Sequence, residues 1–497
     1  MMHQALLVPE VLLEIFTYVH TRPSTTRKLP QIYAHVNRKP FIQITSTLAA
    51  LARTCKIFHE PAMDLLWSEI HGLAPLLGCV TRLHPLIYCK GMTWLDELPS
   101  WVEGIEPLSA HEARQFLRHS SRIRTLNIQT THHHFLSVIP AEPCVFPRLR
   151  SLSLTTTFLN LFLPQTLHQY HLFSVDEGLQ SFVTRCIALE HLDIHTDRQG
   201  YHNSASQLSD RIRWCRRLVT LSCPMLDWEA LKHLSYLPTL LKLEIFQVYD
   251  DPLLSNRDIV TLSFLNVTSL SLSFRPLDMD GVDTITVIQH SQFPSLKEFE
   301  FEADYLTFEE AERLFHALSH CQADQTLEKI NIYLCDENLR EPQDKESLTP
   351  IPHFLCFTQL RTLQLIFHDS HISLDNDMIL QAMSSWPHIR TLEIRDSGVP
   401  SSEVSLRGLF TALGLCPQLH TLQVPINIAI IDIDPDAEPI QHTSLRSLTL
   451  QTSAEFEIAD AETLALARII SAWLPCVDRV QSMYGILNEV NEHLSNL

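Results

Sequence analysis

Glycine is scarce in this chain, with 11 residues among 497. The sequence contains no G-x-G-x-x-G, no G-x-x-x-x-G-K-[ST] and no G-x-S-x-G, so it lacks the phosphate-binding loops and the nucleophile elbow of many enzymes. No apolar run approaches the roughly 18 residues of a membrane-spanning helix. Because the N-terminal stretch has no basic region and contains Glu10 and Glu14, we expect no signal peptide either.

Positive charge is also in deficit, since 37 Lys and Arg residues face 57 Asp and Glu residues and the formal net charge is −20. A chain with this charge repels phosphate backbones, which argues against nucleic-acid binding. The 12 cysteines form no C-x-x-C pair, and we expect reduced thiols in a protein of the cytoplasm, the nucleus or both. Several precede a repeated motif, where we expect them to be buried: Cys186, Cys215, Cys356, Cys416 and Cys476.

The most frequent feature is a motif of the form apolar-x-x-apolar-x-apolar. Twelve copies begin at Ile123, Leu149, Leu189, Leu218, Leu240, Val267, Leu296, Leu327, Leu360, Ile389, Leu419 and Leu445, and a frayed thirteenth begins at Val477. Their spacing is fairly regular, with one longer gap between Leu149 and Leu189. A recurrence of this kind predicts stacked units that each contact only their neighbours. A stack presents a long surface rather than one closed pocket, which favours a binding protein over an enzyme.

Each copy predicts a short strand followed by a crossover connection. The last two apolar residues of a motif alternate, so they point to the same side of a strand. Parallel strands need a crossover, and several connections carry helix signals. These signals are the capping boxes Ser109–Glu112 and Thr307–Glu310, Asp227 ahead of residues 228–237, and the amphipathic stretch 458–474. Proline stands two residues before the motif at Pro147, Pro238, Pro294, Pro387 and Pro417, where it ends the helix.

This pattern resembles the leucine-rich repeat proteins of the irregular, long-repeat kind, from the first motif copy to the C-terminal end of the chain. The resemblance implies an α/β solenoid with parallel strands on the concave face and helices on the convex face. We assign residues 108–497 to about 12 or 13 repeats and residues 71–107 to a helical connector.

Residues 1–70 predict three amphipathic helices. Residues 6–19 place their apolar side chains on one face, with Pro9 in the first turn, and residues 47–67 provide two further helices. Three short helices with such wide apolar faces cannot bury all of them internally. They therefore predict a docking surface for the helices of a partner.

At these residues the chain resembles the F-box domain, in a layout similar to that of F-box proteins from mushroom-forming fungi. The motif residues begin with P-E-V-L-x-x-I-F from Pro9 and end with the pair Leu66 and Trp67. The resemblance implies docking to the small acidic adaptor of a cullin-based (SCF) ubiquitin ligase, while the repeats hold an unknown target protein and other subunits perform catalysis. The implied adaptor contacts are Val8, Pro9, Leu12, Ile15, Phe16, Leu48, Leu51, Phe58, Leu66 and Trp67.

Residues 20–43 separate the first helix from the second and depart from the compact F-box pattern. This insertion carries Arg22, Arg27, Lys28, Arg38 and Lys39 and no acidic residue. We interpret it as a solvated loop. The alternative is a basic lip that attracts the acidic adaptor and raises the association rate.

The residues between the buried strand positions would form the exposed face of the sheet. The most unusual row is Glu298, Glu300 and Glu302, because three carboxylates on one strand face repel one another. The row is either a solvated edge balanced by Lys242 and Lys329 or an acidic recess for a basic segment of the target. The candidate target-binding residues are Glu298, Glu300, Glu302, Lys329, Tyr333, Glu393 and Arg395.

Other polar clusters give weaker signals. His191, Asp193 and His195 alternate on one strand and could hold a metal ion, but we interpret them as incidental surface. We interpret residues 132–134 as a polar loop, and the acidic stretch 432–438 lacks the pattern of an EF-hand. We expect no catalytic set, no metal, no cofactor and no membrane contact, and the main alternative function is a repeat scaffold outside any ligase.

Overall fold

The computed structural model describes Glu14 and residues 39–88, 106–128, 145–154, 164–172, 188–195, 205–247, 261–274, 282–304, 306–334, 347–368, 370–396, 402–428, 431–433, 441–451, 460–481 and 487–495. The chain forms two compact units, Met1–Leu218 and Val219–Leu497. None of the helices in these residues is long and apolar enough to cross a membrane.

The first unit begins with helices and continues as a parallel sheet. Its helices are α1 (Lys39–Thr54), α2 (Lys56–Leu66), α3 (Ala74–Leu77), α4 (His84–Tyr88), α5 (Ala110–Phe116) and α6 (Ala205–Ile212), with a 3-10 helix at Leu117–Arg122. Its strands are β1 (Glu69–His71), β2 (Thr125–Ile128), β3 (Ser151–Leu154), β4 (Gln169–Leu172) and β5 (His191–Ile194). They pair in sequence order, each parallel to the next.

The second unit has the same arrangement of parallel strands joined by crossover connections. Its strands in this arrangement are β6 (Thr220–Pro224), β7 (Lys242–Gln247), β9 (Ser269–Phe274), β11 (Glu298–Ala303), β12 (Lys329–Leu334), β14 (Thr362–Phe367), β16 (Thr391–Arg395), β17 (Thr421–Pro425), β18 (Ser447–Gln451) and β19 (Val480–Gln481). Two short parallel pairs lie in the connections: β8 (Leu262–Ser263) with β10 (Ser291–Gln292), and β13 (Ser347–Leu348) with β15 (His371–Ile372).

The helices of the second unit lie in the crossovers between strands. They are α7 (Trp228–Ser235), α8 (Val282–Gln289), α9 (Phe308–Ser319), α10 (Pro350–Phe354), α11 (Asn376–Ser385), α12 (Leu406–Leu413), α13 (Asp460–Trp473) and α14 (Asn488–Leu494). From α8 to α12 each helix packs on the next. Thr307 caps α9, accepting a hydrogen bond from the backbone of Glu310, whose side chain bonds back to Thr307.

Alternation of buried and half-exposed residues places the core on one side of the sheet. In β9, Leu270, Leu272 and Phe274 are buried and the intervening serines are half-exposed. A buried side chain of this size contributes about 1.5–3 kcal/mol of hydrophobic stabilisation. Since each repeat supplies only a few such side chains, a repeat depends on its neighbours for stability.

A tight turn leads into most strands and buries one further side chain. The N–H of Leu296 donates to the carbonyl of Phe293 at 3.1 Å, and Leu419 donates to Cys416 at 3.0 Å. Proline follows the first turn residue at Pro294 and Pro417, where its fixed φ suits the turn. Phe264 and Phe293, from successive turns, stack with ring centroids 5.0 Å apart. The prolines therefore set a turn as well as ending a helix.

The predicted α/β architecture is confirmed, since each of the twelve motif copies and the frayed thirteenth contains a strand of a parallel sheet. Two strands that pair with motif strands were missed, as were the two short pairs in the connections. Strand β4 fills the long gap between the copies at Leu149 and Leu189, and Tyr170 stands there in the middle of the motif. Strand β1 was missed because Gly72 stands where the motif has its last apolar residue.

The cysteine prediction was partly wrong. Cys215 and Cys416 are buried in the turns before their strands, as expected. Cys356 and Cys476 are exposed, because the buried turn residues there are Phe357 and Leu474. Cys186 lies outside the described residues.

Candidate binding surfaces

Helices α1 and α2 form a small core of their own in the first unit. Leu48 and Ala62 are fully buried in it, and Leu51, Phe58 and Leu66 pack around them while remaining partly exposed. Leu48 therefore packs inside the helix pair. The three half-exposed side chains are the part of the expected adaptor surface that stays accessible in this pair.

Trp67 follows α2 and stacks on His119 of the 3-10 helix, with ring centroids 4.2 Å apart and planes 17° from parallel. Burial, and then the charges of Arg118 and Arg122, lower the pKa of His119 to about 4. The imidazole is therefore neutral at pH 7, and a neutral ring packs against the indole without charge repulsion. One face of the Trp67 ring is therefore covered by His119, at the start of the repeats.

Arg122 joins the same helix to α2 by two ion pairs. Its guanidinium lies 2.6 Å from the carboxylate of Glu60 and also contacts the carboxylate of Asp64. The hydrogen bond from Arg122 is the main reason that the pKa of Glu60 is lowered. Glu60 and Asp64 are one helical turn apart, so one face of α2 presents both carboxylates to the fork of the arginine. The helix pair is therefore tied to the start of the repeats.

The first predicted helix cannot be placed in the same way. Val8, Pro9, Leu12, Ile15 and Phe16 lie outside the described residues, as do residues 20–38 of the basic insertion. Residues 39–43, which end the insertion, belong to α1.

The second candidate surface is the exposed face of β7, β9, β11, β12, β14 and β16 in the second unit. Strand register places Glu298 beside Lys329, Glu300 beside Asn331 and Glu302 beside Tyr333. On the other side of β11 the same three glutamates face Ser269, Ser271 and Ser273. The acidic row is thus flanked on one side by small hydroxyl side chains and on the other by a mixed polar strand.

Gln364 joins several of the predicted target-binding residues. Its Oε1 accepts a hydrogen bond from the hydroxyl of Tyr333 at 3.1 Å, and its Nε2 donates to Glu393 at 2.8 Å. With its amide oriented to satisfy its neighbours, Asn331 donates to Gln364 at 2.9 Å and accepts from Lys329 at 3.2 Å. Sequence reasoning missed Gln364, although it occupies the equivalent exposed position of the next strand.

Arg395 stands at the end of this face. Its guanidinium donates to Oε1 of Gln423 on β17 at 3.4 Å. Among the described residues, neither Nε of Arg395 nor Nε2 of Gln423 has a hydrogen-bond partner, although both atoms are buried. These two atoms are donors without acceptors at one edge of the surface.

Lys242 and Lys329 contact other side chains near the acidic row. Lys242 pairs with Glu244 of its own strand at 3.5 Å, and Lys329 is engaged by Asn331. Within the described part of the chain, no cation lies within ion-pair distance of Glu298 or Glu300. Burial, and then the charges of Glu300, Glu393 and Glu302, raise the pKa of Tyr333. Among the residues named on this face, carboxylates therefore outnumber cations.

The histidine cluster of the first unit is joined by hydrogen bonds. Asp193 accepts a hydrogen bond from Nδ1 of His171 at 2.8 Å and lies 3.2 Å from His195. Burial would raise the pKa of Asp193, but the hydrogen bonds and charges of these two histidines outweigh it and lower the pKa. No group of side chains suited to hold a metal ion occurs in the described ranges.

No protein-family model and no curated protein matches the chain. Solved structures do resemble it. One is the plant peptide hormone receptor RGFR1 in complex with RGF2, which is 13% identical over 73% of this chain and 67% of that one, with a TM-score of 0.30. Another is the yeast Rad7 and Elc1 complex, which is 14% identical over 78% of this chain and 91% of that one, with a TM-score of 0.29.

The architecture itself, with one parallel strand and one crossover in each repeat, is that of a leucine-rich repeat protein. A stack of this kind presents an extended surface built from successive repeats.

Proposed function

We propose that this protein is a substrate receptor of a cullin-based ubiquitin ligase. Residues 1–70 would dock the adaptor, the repeats from residue 108 onward would hold a target protein, and residues 71–107 would connect the two. The chain itself would perform no catalysis. It would raise the rate of ubiquitin transfer by holding the target near the catalytic subunits. Such a receptor would act in the cytoplasm, the nucleus or both.

The observation that carries the adaptor proposal is the helix pair α1–α2. Leu51, Phe58 and Leu66 remain partly exposed although they pack on a buried core, and Ile57 on α2 is 45% exposed. Partly exposed apolar residues at helical spacing suit the docking of a partner's helices. Arg122 fixes this pair to the first repeats, so that a bound adaptor would keep a defined position relative to them.

The target proposal rests on the acidic face of the second unit. Among the described residues no cation lies within ion-pair distance of Glu298 or Glu300, and Glu302 lies in the same row. Uncompensated carboxylates beside one another cost stability in the free protein. A basic segment of the target would relieve that repulsion on binding, with Lys329, Tyr333, Glu393 and Arg395 contacting its uncharged groups.

The adaptor proposal is tested by co-expressing the full chain with the adaptor of a cullin-based ligase and purifying through a tag on this chain. The wild type should retain the adaptor. The double variant Pro9→Ala with Ile15→Asp should lose it, and Ile57→Asp should retain less than the wild type. The control is Leu380→Asp on α11, a leucine that is 37% exposed in the second unit and should have no effect.

Two results would contradict adaptor docking. One is retention of the adaptor by the double variant at the wild-type level. The other is an equal loss in Leu380→Asp, which would show a general response to a new charge. If the wild type itself retains no adaptor while still capturing a target, the protein is a repeat scaffold outside any ligase.

A further inference from the structure

A basic residue recurs at the second position of the motif, immediately before the strand. In four consecutive repeats of the second unit this position holds Arg361, Arg390, His420 and Arg446, which precede β14, β16, β17 and β18. All four side chains are exposed. We call these four residues the entry strip.

Backbone hydrogen bonds show that the members of the entry strip are spatial neighbours. Arg390 N–H donates to the carbonyl of Arg361 at 2.7 Å, His420 to Arg390 at 2.8 Å, and Arg446 to His420 at 2.9 Å. Each residue is therefore one strand away from the next. With a strand spacing of about 4.8 Å, the strip extends for roughly 14 Å along one edge of the sheet.

Most of the positive charge on the strip is not neutralised. Arg361 lies 3.3 Å from Glu328, which occupies the equivalent position before β12 and ends the strip. Nδ1 of His420 bonds to the backbone carbonyl of Gln418. For Arg390 and Arg446, no carboxylate in the described ranges lies within ion-pair distance. Arginine stays charged at any physiological pH, so Arg390 and Arg446 carry positive charges on either side of His420.

This arrangement is unexpected in a chain with a net charge of −20. Acidic residues occupy the equivalent positions at the two ends of the strip, where Glu328 pairs with Arg361 and strand register places Asp478 beside Arg446. Stacked like charges are unfavourable in the free protein. A partner of opposite charge removes that cost and gains charge-assisted hydrogen bonds to the guanidinium groups.

We propose that the entry strip docks an acidic segment of a partner protein. A stretch of roughly four or five extended residues, at about 3.3 Å each, matches the length of the strip. Asp and Glu carboxylates fit the planar fork of arginine in a bidentate manner. Long phosphate polymers fit less well, because they bring many more negative charges near a chain of net charge −20 than a short acidic segment does. The strip is made of different residues from the acidic face, and the proposal does not depend on adaptor docking.

The test uses the full chain and a fluorescently labelled peptide of eight aspartates, with anisotropy measured in about 50 mM NaCl so that surface charges are weakly screened. The strip variant is R361Q/R390Q/R446Q. The matched control is K232Q/R313Q/R468Q, which removes the same charge from helices α7, α9 and α13 of the same unit. The charge-conserving variant is R361K/R390K/R446K.

We expect the wild type to bind the peptide, the strip variant to bind about tenfold more weakly, and the control to bind within about twofold of the wild type. The lysine variant should keep most of the affinity, which separates charge from any effect on folding. Equal weakening in the strip variant and the control would overturn the proposal, as would no binding by the wild type. Tighter binding of a single-stranded homopolymeric RNA through the same arginines would overturn the proposal, because it would show that the strip binds nucleic acid rather than a protein segment.

Discussion

Arg122 holds the carboxylate of Glu60 at 2.6 Å, although the two residues are far apart in the sequence. The contact joins the helix pair α1–α2 to the 3-10 helix that leads into β2, and Asp64 reinforces it. If the chain acts as the proposed receptor, this connection would hold the helix pair in a fixed position relative to the first repeats.

Replacing Arg122 by Ala should loosen α2. Glu60 and Asp64 would lose their common cation, so local opening of the helix would break fewer contacts. Hydrogen exchange should therefore be several-fold faster in residues 56–66 than in the wild type. Arg114→Ala, an exposed arginine of α5, is the control and should leave exchange in α2 unchanged. Unchanged exchange in Arg122→Ala would show that packing alone fixes the helix pair.

The stack of Trp67 on His119 should make stability depend on pH. The folded-state pKa of His119 is lowered to about 4, whereas an unfolded histidine titrates near 6.5. Between these values the unfolded chain binds more protons, so the free energy of unfolding falls as the pH is lowered from about 6.5 toward 4. In His119→Phe the aromatic contact remains and the titration disappears.

The measurement is the difference in melting temperature between pH 7 and pH 5. We expect a smaller difference in His119→Phe than in the wild type. His84→Phe, in which an exposed histidine of α4 is replaced, is the control and should keep the wild-type difference. Equal pH dependence in all three proteins would mean that His119 is readily protonated in the folded state.

Gly408 should not tolerate a side chain. A Cβ at this position would lie 1.8 Å from Oδ1 of Asn376, and that oxygen accepts a hydrogen bond from the N–H of Ser405 at 2.9 Å. Gly408→Ala should therefore separate α11 from α12 and destabilise the second unit by about 1–3 kcal/mol in chemical denaturation.

Two further variants separate crowding from helix propensity. A Cβ at Gly414 would meet only the carbonyl of Thr411 at 3.4 Å, so Gly414→Ala should change stability little. Adding Asn376→Ala to Gly408→Ala should recover part of the loss, because it removes the crowded amide. A fully stable Gly408→Ala variant would show that Asn376 can move without cost.

The carboxylates of the acidic row should lower the stability of the free protein and favour the binding of a basic peptide. The double variant Glu298→Gln with Glu300→Gln keeps the shape of the side chains and removes the repulsion, so the melting temperature should rise or stay unchanged, with a gain of about 0.2–1 kcal/mol. Binding of a labelled peptide of eight lysines should become weaker at the same time. Glu309→Gln with Glu462→Gln, two exposed helical carboxylates of the same unit, is the charge-matched control. A loss of stability with unchanged peptide binding would refute the acidic recess.

The repeats could be predicted from the sequence because each motif specifies its strand within six residues. A motif such as LRTLQL at Leu360–Leu365 specifies one strand by alternation alone, and its recurrence specifies the parallel stack. The capping box at Thr307 and Glu310 was readable for the same reason, since its two members are close neighbours in the sequence. Strand β4 was harder to find because Tyr170 takes the place of an aliphatic residue.

The site itself depended on contacts between distant residues. The sequence singled out Glu298, Glu300 and Glu302 as an acidic row, but only strand register decided that Lys329 would be held by Asn331 and that Gln364 would join Tyr333 to Glu393. Likewise, the recurrence of Arg390 and Arg446 was visible in the motif, but their lack of ion-pair partners at one edge of the sheet was not.

The sequence by itself determined that this chain is a stack of short parallel strands with helical crossovers, because hydrophobic periodicity and capping act within a few residues. Tertiary structure decided which charges remain without partners and which are neutralised. It placed Arg122 against α2, buried Leu48 between two helices and left Glu300 facing Ser271. Coulomb interactions depend on separation in space, and the fold brings together residues that lie far apart along the chain.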